Sequence, residues 1–224
     1  FDWGRTSKEY ARYRDIYPEE FYRKIVNRGL CVKGQRALDI GTGTGQLPRN
    51  LYSYGAEWTG TDISPEQIRE AERLAQAGNM DIVFLAVPAE QIDFPAGSFD
   101  VVTACQCFWY FEHEKVMPMF HRMLKEGGRI LVLYMAWLPF EDETAGKSED
   151  IVRKYSPSWT GGGETKHPIF IPDVMYDYFE LEDHEEYELM VPFTKESWHG
   201  RMFACRGVGA SLSPEELAAW DKEH

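Results

Sequence analysis

Leu38-Asp39-Ile40-Gly41-Thr42-Gly43-Thr44-Gly45-Gln46 is the stretch on which the reading of this chain turns. It follows a short apolar run, Arg36 to Ile40, and opens an amphipathic segment, so it is a turn from a strand into a helix. Glycines there let the backbone take positive φ and let a ligand approach the main chain. The helix that follows offers free N–H groups and a partial positive end. A dinucleotide fingerprint needs its third glycine at 46, where Gln46 stands, and no Gly-Lys-Ser/Thr follows, so a P-loop is excluded.

Working outward, apolar runs alternate with helical patterns: Glu57–Asp62, Asp81–Leu85, Asp100–Cys105 and Arg129–Met135. Near-continuous stretches such as Ile130 to Leu133 suit strands covered on both faces. Ser64, Pro65 and Gln67 read as N-cap, first helical residue and capping box of a helix running to Gly78. Glu112 to Leu124 repeats the helical pattern and is expected to end at Gly127-Gly128. Such alternation predicts an α/β, doubly wound, mostly parallel sheet. Asp62 then falls at the carboxyl end of the second strand, across the crevice from the glycine loop, where a carboxylate can accept both hydrogen bonds of a ribose diol. The site reads as one for a nucleoside.

The flanks are plainer. Residues 7–30 read as two helices, the second starting at Pro18. From Pro139 to His184 the periodicity weakens and prolines and glycines interrupt it, which predicts short helices and loops forming a cap after the fifth strand. Glu185–Val191 alternates like a strand, and helices are expected near 196–206 and 214–223. A sheet ending on 185–191 would bring one more strand against it; no such run follows, so a final strand is expected outside the chain. The expected organisation is a single domain, with 1–35 covering the ligand, 36–138 as the binding core, 139–184 as the cap and 185–224 as closing strand and helices. The chain opens on Phe1 rather than Met, so a short upstream piece is also expected and no signal peptide can be judged.

With 24 basic and 37 acidic residues among 224, the net charge is −13, which argues against coating nucleic acid or an anionic membrane. No apolar run reaches the roughly 20 residues that span a bilayer. The four cysteines show no CxxC spacing, and a reducing, cytoplasmic setting is the simplest expectation. Cys105 and Cys107 are expected to alternate on a buried strand as packing residues. Metal is not expected, since the histidines share no ligand spacing.

Four ordered motifs, Asp39-x-Gly41-x-Gly43-x-Gly45, Gly60-x-Asp62-x-Ser64, Ala89-Glu90-x-Ile-Asp-Phe94-Pro and Ser98-Phe99-Asp100-Val-Val, resemble the class I S-adenosylmethionine-dependent methyltransferases, in their small-molecule branch with the ubiquinone-biosynthesis and trans-aconitate-type enzymes. The resemblance covers roughly residues 8–135, and 195–212 loosely. It implies a Rossmann-like fold and S-adenosyl-L-methionine as cofactor. It places Gly41, Thr42 and Gly43 against the methionine portion, with Asp39 near its ammonium. Asp62 would take the ribose, Ile63 the adenine face, and Ala89 and Glu90 the adenine edge, Glu90 through its carboxylate. Gln106 would line the methyl-transfer mouth. Tyr13 and Arg14 would cover the cofactor, Arg14 pairing with its carboxylate. Two positions depart from the family pattern. Pro88 stands where relatives carry an acid or Asn, and Trp109 aligns where many carry a His, which removes one candidate base.

Methyl transfer from a sulfonium needs positioning and exclusion of water more than a base; a base is needed only for an acceptor protonated at working pH. The acceptor-side candidates are Trp109 in Phe108-Trp-Tyr-Phe111, His199 as a base, and Arg201 for an anionic acceptor. Trp137, Trp159, His167 and Trp198 lie in or beside the cap, and each alone is more often ordinary core or loop packing. The expected partner is a small-molecule acceptor, O- or N-directed or a carboxylate, with monomer and homodimer both open. A catalytically silent, cofactor-binding relative and an NAD-dependent oxidoreductase remain the alternatives.

Overall fold

Helices return over the sheet between the first and second, the second and third, and the fourth and fifth strands, and crossovers of that kind make the pairing parallel. The computed structural model describes residues 2–163 and 169–224; His167 and the break expected at Pro168 lie outside them. Its elements are α1 (Ser7–Tyr13), α2 (Glu19–Asn27), β1 (Arg36–Ile40), α3 (Gln46–Leu51), β2 (Glu57–Asp62), α4 (Pro65–Ala77), β3 (Ile82–Ala86), β4 (Phe99–Cys105), α5 (His113–Met123), β5 (Leu124–Leu133), α6 (Glu143–Tyr155), α7 (Lys195–Phe203) and α8 (Pro214–Glu223). The five strands run parallel in the order β3-β2-β1-β4-β5. Strand order reverses at β1, so the loops after β1, β2 and β4 meet at one end of the sheet, where ligands bind in such folds.

The chain divides into two units, and the division does not follow the expected cap. One, the sheet unit, holds Tyr17–Tyr134 with Ile169–Val191. The other, the helical unit, gathers described residues 2–16, 135–163 and 192–224.

Alternate strand residues of the sheet unit feed two cores. Leu38, Ile40, Val102 and Ala104 pack with Val116, Met117, Phe120 and Met123 of α5. Ala37, Trp58 and Val101 pack with Phe21, Tyr22 and Ile25 of α2 and with Leu47 and Leu51 of α3. Asp39 and Thr103 share the second face by the period of two, which is why they meet.

Several elements differ from their expected form. Strand β5 begins at Leu124, against Phe99, and its ladder resumes only at Arg129 opposite Val101. The Gly127-Gly128 pair, with Gly127 at φ +71, therefore marks an irregularity within the strand instead of the end of α5. Ser64 caps α4 by accepting from the Gln67 N–H, but its own N–H donates to Asp62, so the reciprocal half of the box is replaced. The weakly periodic region holds a 13-residue helix, α6, capped by Asp142. Glu185–Val191 forms no ladder. Strand-like alternation needs a neighbour to pair with, and here the acidic side chains make ion pairs: Glu182 with Arg129, Asp183 with Arg28, and Glu185 with Arg28 and Lys24.

In the helical unit, Val152, Met202, Cys205, Val208, Leu212 and Trp220 form the core. No helix among the described residues is long and apolar enough to cross a membrane.

Candidate functional site

Three glycines take positive φ after β1: 65° at Gly41, 57° at Gly43 and 72° at Gly45. They differ in what they permit. A Cβ on Gly41 would stand 2.7 Å from the Cys107 sulfur, and one on Gly45 2.7 Å from the Phe84 ring. Gly45 thus lets the first turn of α3 approach β3 and α4, while Gly41 makes room for the exit of β4. Gly43 donates its N–H to Asp62 Oδ2 at 2.8 Å, and the Thr42 N–H is taken by the Thr61 carbonyl at 2.8 Å.

Asp62 is held at both oxygens, Oδ2 by Gly43 and Oδ1 by the Ser64 N–H at 2.9 Å. Burial raises its pKa, while those two N–H groups pull it back. An ionised carboxylate has about four acceptor positions, so one remains on each oxygen after the backbone bonds. That is the donor demand of a vicinal diol. Next to it Ile63 is 65% exposed, an apolar face at the mouth of the crevice.

Asp39 is 2% exposed and accepts the Thr103 hydroxyl at 2.6 Å. Burial pushes its pKa up to about 7; the Thr103 hydrogen bond and the nearby Thr42 hydroxyl work against this, and the Asp62 charge adds to it. A carboxyl so poised is readily ionised by an approaching cation.

On the β3 side Ala89 is buried and begins a tight turn through Gln91. Glu90 turns its Oε1 to the Glu112 N–H, at 3.0 Å. On the β4 side the strand ends at Cys105, and Gln106 takes φ +67, a conformation that L-residues adopt at a cost and that clusters at functional positions. Cys107 is accordingly beyond the strand, and the expected alternation with Cys105 does not apply. Its thiol donates to the Ile40 carbonyl at 3.0 Å, and burial, then the Asp39 charge, raise its pKa well above the usual value. Trp109 is 36% exposed and meets Tyr134 edge to face at 4.9 Å.

Sequence reasoning gave Thr103 and Tyr134 no place at the site, and read Cys107 only as strand packing. Thr103 stands directly opposite Asp39 in the parallel register, a pairing that only the strand order reveals.

The remaining candidates belong to the helical unit. The Tyr13 ring covers Gly200, whose added Cβ would stand 2.4 Å from it, and its hydroxyl donates to Glu196 at 3.3 Å. The Arg14 guanidinium lies 4.9 Å over the Tyr10 ring. His199 sits between Asp221 and His224, at 2.9 Å from each. Arg201 is 5% exposed, its guanidinium 4.9 Å over the Trp137 ring. Trp137 donates to Glu149, and Trp198 to Ser148, so these tryptophans serve the packing of this unit. Among the described residues no group of three His, Cys, Asp or Glu side chains could hold a metal ion.

A reversed parallel order, a glycine turn after the first strand and a doubly held carboxylate after the second make a Rossmann-like fold with a ligand crevice at the ends of its strands. Residues 38–132 match the family model described as a methyltransferase domain. The demethylmenaquinone methyltransferase of Thermus thermophilus is 38% identical over 114 residues, covering 50% of this chain and 52% of that protein. A Dictyostelium discoideum protein named as a methyltransferase is 31% identical over 134 residues, covering 58% and 47%. The chain thus matches about half the length of these relatives. Among solved structures, the YcgJ protein of Bacillus subtilis is 28% identical with a TM-score of 0.50, covering 63% of this chain and 61% of that one.

Proposed function

We propose that the protein transfers a methyl group from S-adenosylmethionine to a small-molecule acceptor, through an oxygen or nitrogen nucleophile, carboxylates included. The observation that carries this reading is Asp62, whose two oxygens are aimed by backbone N–H groups and retain one acceptor position each. The cofactor supplies an electrophilic methyl on a sulfonium, a reactive donor in itself. The chain's own contribution is then positional. Asp62 orients the ribose, and Ile63 with Ala89 flanks the base. Asp39 holds the ammonium, exchanging a buried proton for a buried ion pair. The glycine loop lies along the chain of the methionine, and Gln106 with Trp109 stands where β4 opens towards the acceptor. No step requires a base from this chain when the acceptor is already anionic. The roles expected of Tyr13, Arg14, His199 and Arg201 belong to the same proposal and are open to test by variants taken singly.

The test is a screen of small metabolites for transfer of label from methyl-labelled S-adenosylmethionine, with Asp62→Ala as control. Transfer that disappears in Asp62→Ala supports the reading. Tight binding of S-adenosylhomocysteine with no transfer to any acceptor class would favour a silent binding protein, and binding of NAD instead would overturn the cofactor.

A further inference from the structure

The carboxylate of Glu90 faces the start of α5. Its Oε1 accepts the N–H of Glu112 at 3.0 Å, and Glu112 is the N-cap residue of that helix, with no side-chain cap of its own. In a capping box this N–H is satisfied by a Glu or Gln three residues into the helix. The residue there is Lys115, which has no acceptor to offer. Glu90, 22 residues earlier in the chain, does that work instead, and places a negative charge at the end of the helix that favours one.

The stretch just before Glu112 carries the exposed aromatics. Phe108–Tyr110 is a tight turn, and His113 from the first turn of α5 meets the Phe108 carbonyl through Nε2 at 2.9 Å, its ring 4.7 Å from that of Phe108. Phe108 and Glu112 are therefore two fixed points. Trp109 and Tyr110 are held outward between them, Trp109 against Tyr134. One of these points depends on a side chain from the turn Ala89–Gln91 beside the crevice.

We propose that Glu90 is a positioning residue, coupling the cofactor side of the crevice to the aromatic turn at Trp109 by completing the cap of α5 from a distance. This rests on the methyltransferase reading of the same site. A ligand that settles against Ala89 and Glu90 reorients the carboxylate, and the start of α5 transmits the change to Trp109.

The test uses the full chain labelled with 5-fluorotryptophan, the Trp109 fluorine resonance being identified by its loss in Trp109→Phe, and S-adenosylhomocysteine as probe. In the unliganded protein Glu90→Ala is expected to shift or broaden the Trp109 resonance. The probe, which moves that resonance in the unsubstituted protein, is expected to leave it unmoved in this variant. Glu90→Gln, which keeps an acceptor oxygen, is expected to restore the resonance. So is Glu90→Ala combined with Lys115→Glu, which supplies the missing acceptor locally and also serves if the single variant fails to fold. A Trp109 resonance unchanged by Glu90→Ala, or a failure of both rescues, would overturn the proposal. So would an affinity loss above about tenfold with Trp109 unmoved, which would make Glu90 a direct ligand. Failure of the probe to bind the unsubstituted protein would overturn the cofactor reading, leaving the comparison of unliganded resonances to decide the role of Glu90.

Discussion

Both units bury polar groups, but they satisfy them differently. In the sheet unit Asp62 is held by backbone N–H groups that leave acceptor capacity on each oxygen, and Asp39 by one neighbouring hydroxyl. In the helical unit most of the bonds run from side chain to side chain. Glu149 receives Trp137 Nε1 at 2.5 Å, the Gly163 N–H at 2.8 Å and Arg153 at 3.1 Å. Ser148, His224, His199 and Asp221 form a continuous chain with Trp198 at its head. Tryptophan can only donate and a carboxylate only accept, so the protons of that chain have one arrangement when both imidazoles are neutral. The first pattern suits a site that waits for a ligand. The second fixes how α6, α7 and α8 pack, and offers a ligand little.

If that contrast is right, the largest effect of any single change lies in the helical unit. Glu149→Ala removes a buried carboxylate and leaves a part-buried indole N–H and the Gly163 N–H without their acceptor, and is expected to destabilise the protein by about 3 kcal/mol, read from the urea midpoint. A loss below about 1 kcal/mol would mean that the network is ornamental and the contrast false. Asp62→Ala comes next. Removing a charged acceptor of two hydrogen bonds is expected to weaken S-adenosylhomocysteine by about a hundredfold in calorimetry. A change within about threefold would show that the free acceptor positions are not used.

The two patterns also differ in what the sequence discloses. Glycine spacing and an acid at a strand end are local, and they located the loop and Asp62 without knowledge of the fold. Helix α6 was obscured because two of its four buried positions, Ala145, Ser148, Glu149 and Val152, carry polar side chains, which erases an apolar period while preserving the geometry. Glu185–Val191 shows the converse, a strand pattern with nothing to pair against. The His199–His224 contact joins side chains 25 residues apart, and no spacing rule announces it.

Asp39 provides a third test, through pH. Its folded pKa of about 7 lies above the ordinary carboxylate value, so its contribution to stability is fully present below about pH 4 and is lost as pH rises through about 7. The ligand-free protein should therefore lose stability over that window, and Asp39→Asn should flatten the slope. A cofactor ammonium needs the ionised form, so affinity for S-adenosylhomocysteine should tighten about tenfold from about pH 6 to about pH 8 and become nearly independent of pH in Asp39→Asn. A flat profile in the unsubstituted protein would separate Asp39 from the ammonium.

The smallest effect is the most discriminating, because Ser64 serves both packing and site with different atoms. Its hydroxyl accepts the Gln67 N–H at 3.3 Å and caps α4, whereas its backbone N–H holds Asp62. Ser64→Ala removes only the first. The expected cost is about 1 kcal/mol of stability, with affinity for S-adenosylhomocysteine unchanged within about twofold. A fall in affinity much larger than the fall in stability would mean that the cap, and not the backbone, aims Asp62. The sheet unit would then depend on side-chain bonding as the helical unit does, and the distinction between a site held open by main chain and a core closed by side chains would fail at the residue where it is easiest to see.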